Sequence, residues 1–202
     1  MKKILFFAVT LAAFAFIAPG DPLTKKERKE AIDLLKSTEN DLLQEVQGLS
    51  EAQLKYKPAP DRWSVEECVI HIATTEQMLW ETTDAGIKQA ANPEKRSEIK
   101  MTDEQVVKGV EDRSQKRQTF DKLKPENSPF KSMTEALESL KNSREKLTSY
   151  VKSTPDDLRS HVLTMPFGSL DSYQMILFIA AHNARHTLQI KEVKADPGFP
   201  KS

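Results

Sequence analysis

Cysteine is nearly absent: Cys68 is the one thiol in 202 residues. No intramolecular disulfide is available, so the fold must rest on its core, and zinc-finger arrangements, which need cysteine pairs, are excluded. Net charge is lacking as well, with 30 Lys and Arg against 30 Asp and Glu. Without a clustered cationic excess, nucleic acid is not an expected partner, and an aromatic content of 7% leaves little for base stacking. Sustained period-two alternation is missing, so no sheet is expected. Long apolar runs are also missing past the N-terminus. The single one, Ile4 to Ala18, is 15 residues, short of the roughly 20 that span a bilayer as a helix.

That run is informative in its context. Lys2 and Lys3 precede it, and Pro19-Gly20 end it, with Ala18 and Gly20 as small residues at the boundary. A short basic region, an apolar stretch and a small-residue junction form the pattern of a secretory signal. The expectation is a signal peptide over residues 1–20, one domain over 21–202, a secreted or periplasmic location, and no membrane span once the signal is removed. No cysteine at the junction offers a lipid attachment site.

Beyond residue 20 the punctuation is helical. Thr24/Glu27, Ser64/Glu67, Thr102/Gln105 and Ser132/Glu135 each place a hydroxyl three residues before Glu or Gln. This is the spacing of a capping box, in which the two side chains satisfy each other's unpaired backbone donors at a helix start. Apolar residues then recur with helical period, as at Ala31, Leu35, Thr38 and Leu42. Breaks fall at KPAPDRW (57–63), Asn92-Pro93, LKPENSPF (123–130), Thr154-Pro155 and MPFGS (165–169). The spacing predicts main helices near 24–48, 64–91, 102–123, 132–153 and 170–194, with a short turn at Ser50–Leu54. The charge-rich stretch 94–122 reads as a solvated helix face and its approach. The last helix carries YQMILFIAA and should be buried on most sides.

Directly after that run comes HNARH. His182 and His186 lie at i and i+4, so their imidazoles share one face and can converge on one ion. Alone the pair is a weak signal, more simply explained by two core histidines bonded to carbonyls. His71 is a third candidate, on a helix whose apolar stripe is Val65, Cys68, Ile72, Thr75 and Leu79. An imidazolium there would be penalised by desolvation, so three inward histidines are most economically explained by one shared ion. The metalloprotease pattern is excluded because Asn183, not Glu, follows the first histidine. Three imidazoles leave coordination positions open for water or substrate, as in catalytic sites. They suit Zn, Ni, Fe or Cu without choosing among them.

The remaining residues have blander expectations. His161 is expected to be a loop residue and not a ligand, Trp63 to plug the bundle end before Ser64, and Cys68 to be a small core side chain. Asn183 and Gln189 are candidates for fixing an imidazole tautomer. Arg185 and Lys191-Glu192 are expected at the surface.

PAPDRWSVEECVIHIATTEQMLW and DSYQMILFIAAHNARHTLQIKEV strongly resemble the two signature helices of the DinB-like superfamily of metal-binding four-helix bundles, and the resemblance runs from about Thr24 to Lys194. It implies an all-α fold, an up-down four-helix bundle with an additional helix or long loop. It also implies that His71, His182 and His186 form the family's metal triad, holding a divalent transition metal such as Zn, Ni or Fe. Similar proteins include thiol-dependent transferases and isomerases and metal-dependent hydrolases. Those thiols are cytosolic, so an exported member points away from them. Two function classes stay open: a metal-dependent hydrolase or transferase acting on a small molecule, and a non-catalytic metal- or ligand-binding bundle of the cell envelope. A homodimer is compatible with the sequence, which fixes no oligomeric state.

Overall fold

Reciprocal capping bonds set the helix starts. In the computed structural model, which describes residues 22–201, Thr24, Ser64 and Thr102 accept from the backbone N–H three residues on, while Glu27, Glu67 and Gln105 accept from the cap's own N–H. They open α1 (Lys25–Val46), α3 (Val65–Ile87) and α4 (Asp103–Glu111). Ser50 and Gln53 form a further box that opens the short α2 (Glu51–Lys55). Ser132 caps α5 (Met133–Ser153), although Glu135 reaches back to the N–H of Lys131 instead. Asp171 caps α6 (Ser172–Lys194). The expected signal segment lies outside the described residues, and no described helix is long and apolar enough to cross a membrane.

The four long helices form the bundle, and α4 is the additional one. Helix α6 packs against α1 and α3, and α5 packs against the same two, so α1 and α3 face each other across a diagonal. Helix α4 lies outside, against α6. The core has two apolar clusters, one around Leu35, Leu79, Leu147 and Ile176 and the other around Leu42, Ile72, Leu140 and Ile190. Between them runs a polar layer. Arg144 of α5, 1% exposed, donates to Leu35 O and Thr38 Oγ1 of α1 and to Glu76 Oε2 of α3 at 2.9, 3.2 and 2.7 Å. Asn183 of α6 completes it, with its amide oriented to donate to Thr38 O at 3.1 Å and accept from Arg144 Nη2 at 3.3 Å.

Three elements differ from the sequence expectation. The helix placed at 102–123 ends at Glu111, because the Asp112 carboxylate takes the N–H and hydroxyl of Ser114 and turns the chain out of the helix. Helix α3 ends at Ile87 and not near residue 91. The stretch before α6 is an antiparallel hairpin of β1 (Val162–Met165) and β2 (Gly168–Asp171), where no strand is expected from the sequence. Strands of four residues are too short to show period two. The hairpin is fixed from outside: Asn92 Oδ1 accepts from Val162 N at 2.7 Å, and Asn92 Nδ2 donates to Val162 O at 3.0 Å. Beside it Arg159 binds Glu27, Asp103 and Asp171, tying α1 and α4 to the N-terminus of α6.

Candidate metal centre

His71 belongs to α3, and His182 and His186 to α6. Because α3 and α6 are neighbours, the ring centroids lie 5.1 Å apart for His71 and His182, and 4.5 Å apart for both His71/His186 and His182/His186. Each ring offers one nitrogen within 4.8 Å of the other two. Three imidazole nitrogens are a donor set that would suit a divalent transition metal. No Asp, Glu or Cys joins this cluster among the described residues.

Two of the three tautomers are fixed by their partners. His71 Nδ1 lies 2.8 Å from the carbonyl of Leu123, which can only accept, so the proton sits on Nδ1 and the Nε2 lone pair is free. His186 Nδ1 lies 2.9 Å from Gln189 Oε1 and donates in the same way. Such outer bonds hold imidazoles ready for a metal. Burial pushes the His71 pKa down to about 4 despite the opposing Leu123 bond. His182 and His186 are also pushed well below the ordinary value, by burial first and then by the neighbouring rings and cations. All three are therefore neutral at pH 7, the state a ligand requires.

Aromatic walls surround the cluster. The Trp63 indole lies 4.7 Å from the His71 ring and 5.9 Å from that of His186, so it faces the site as well as packing at the bundle end. Leu123 sits on the link between α4 and α5 that crosses the site, and Arg185 holds that link. The sequence places Arg185 at the surface, whereas it is 6% exposed. Its long stem lets the guanidinium reach the carbonyls of Val110, Asp112 and Gln115. Arg113 on the same link pairs with Glu192 at 2.6 Å.

The other candidates fall as follows. Cys68 is fully buried in the core, with its thiol pKa pushed up by burial, and is not among the converging groups. His161 lies apart from the cluster, its carbonyl accepting from Ser172 N at 2.9 Å. Gln189 does fix a tautomer, whereas Asn183 serves the polar layer. The Leu123 contact was not legible in the sequence, because a backbone carbonyl carries no residue signature. Arg185 had one weak signal, its place in the most apolar helix.

The fold and its inward histidines define a four-helix bundle with a three-imidazole cluster at the contact of two helices. The family model of the DinB superfamily matches residues 34–190, and the chain belongs to that superfamily. It is 30% identical over 151 residues to the uncharacterized protein YuaE of Bacillus subtilis (strain 168), covering 74% of this chain and 88% of YuaE. Its fold is similar to that of YfiT from Bacillus subtilis, described as a probable metal-dependent hydrolase with an unusual four-helix bundle topology. The TM-score is 0.60 at 15% identity, covering 90% of this chain and 94% of YfiT.

Proposed function

We propose that His71, His182 and His186 bind one divalent transition metal, and that the protein is an exported metal-dependent enzyme of hydrolase or transferase type acting on a small molecule. The observation that carries this reading is the convergence of three neutral imidazoles, two of them held with Nε2 free, on a point without a carboxylate. A bound divalent ion would supply Lewis acidity and a water of lowered pKa. Leu123 and Gln189 hold the ligand tautomers, Trp63 shields one side from water, and Arg185 keeps the covering link in place. The description of YfiT as a probable metal-dependent hydrolase supports the hydrolase class. Export rests on the pattern of residues 1–20.

A non-catalytic binding bundle is the second reading. It is favoured by the absence of a carboxylate from the converging groups among the described residues. Metal analysis of protein purified without a histidine tag, followed by ester, amide and thiol-transfer substrates, separates the two. Metal-dependent turnover that vanishes with His182→Ala supports the enzyme; stoichiometric metal with no turnover across the panel supports the binding bundle. Intact mass of protein from the native host tests export. A mature start near residues 19–21 is expected, and a full-length cytosolic species would contradict it.

A further inference from the structure

Of the three imidazoles, His71 and His186 are buried while His182 is only partly so, which makes His182 the most accessible of the three. Aromatic rings flank it. Phe178, one turn before His182 on α6, lies with its ring nearly parallel to the imidazole, at 11° and 6.4 Å between centroids. Phe167 stacks on Phe178 at 4.7 Å and 10°. Three nearly parallel rings thus lead from the surface to a candidate ligand.

The outermost ring sits on the hairpin. Phe167 is 41% exposed in the two-residue turn joining β1 and β2. The base of the hairpin is clamped by Asn92 through Val162. Leu163 packs so closely on Gly86 of α3 that a β-carbon there would lie 3.0 Å from its side chain. The hairpin therefore holds the Phe167 ring against Phe178, in line with His182.

We propose that Phe167 and Phe178 form the substrate's specificity wall, receiving a flat aromatic group whose attached polar atoms reach the metal. This rests on the three-histidine metal reading. A flat ring gains stacking and burial against such a wall, while a methyl group in its place gains little. The cluster itself adds a further aromatic ring, with Trp63 packed 4.7 Å from the His71 ring, and has no carboxylate among the converging groups of the described residues.

The test uses the full chain loaded with whichever of Zn²⁺, Ni²⁺ or Fe²⁺ it retains, titrated calorimetrically with benzohydroxamate and with acetohydroxamate. Both probes chelate through the same atoms and differ in the ring. The parent should bind benzohydroxamate at least about tenfold more tightly. Phe167→Ala should abolish that preference, leaving acetohydroxamate affinity and metal content unchanged. Phe167→Tyr, which keeps the flat ring, should retain it. Equal affinities for the two probes in a metal-loaded parent, or a preference that survives Phe167→Ala, would overturn the wall and leave the metal reading standing. A chain that retains none of the three metals overturns both. A dimer that dissociates in Phe167→Ala, with probe affinities unchanged, would assign the wall to a second copy and overturn the proposal.

Discussion

Gln189 Oε1 accepts a 2.9 Å hydrogen bond from His186 Nδ1, one turn back along the same helix. The same oxygen is 3.4 Å from Arg113 Nη1, so the acceptor that orients the imidazole is itself oriented by the link crossing the site. Gln189→Leu removes the acceptor while keeping the helix. Metal affinity should fall about 10–100-fold, with the far-ultraviolet circular dichroism unchanged. An unaltered dissociation constant by competitive chelator titration would contradict this role.

The metal-free protein should lose stability on acidification within a defined window. The three imidazoles are depressed in the fold, His71 to about 4 from 6.5, and His182 and His186 also downward. Once unfolded they take up protons near pH 6.5. Below that value the unfolded chain binds more protons than the native one, so their contribution is complete above about pH 6.5 and is lost progressively as pH falls toward 4. For His71 alone, at about 1.4 kcal/mol per pH unit, it is about 3 kcal/mol. Urea denaturation of the metal-free protein between pH 7 and 4.5 reads it directly. The slope should flatten in His71→Ala, and a parent profile flat across that range would contradict the assignment.

The polar layer of the core behaves differently from the site. Arg144 and Glu76 are both nearly inaccessible, with Nε 2.6 Å from Oε1. Arg144→Met strands a buried carboxylate and should cost about 3–5 kcal/mol, whereas Arg144→Met combined with Glu76→Leu should be much milder. Equal losses for the single and double variants in chemical denaturation would refute the account of the layer.

The helices and the site differ in how far the sequence reveals them. Helix starts were legible because Thr24, Ser64 and Thr102 act through their immediate neighbours, and local chemistry survives in a linear reading. The pairing of His182 with His186 was legible from their spacing alone. That His71 joins them depends on α3 packing against α6, which spacing does not contain and the family resemblance supplied. The end of α4 and the short hairpin were missed for a related reason. The first depends on a turn at Asp112, and the second on distant partners such as Asn92, so neither has a periodic signature. Arg185 is not legible from its type, because a charged head group on an apolar helix suggests the surface while its length lets it reach the carbonyls of Val110, Asp112 and Gln115.

The most direct test of the central claim is metal content, measured together with helical circular dichroism, for the untagged parent and for His71→Ala, His182→Ala, His186→Ala and His161→Ala. The parent and His161→Ala should hold one equivalent of a divalent transition metal at pH 7.5. The other three should lose affinity by orders of magnitude while staying helical, and binding by the parent should weaken as the pH falls through about 6, where protons compete for imidazole. Undiminished binding in all three triad variants, or a parent that takes up no metal at neutral pH, would contradict it.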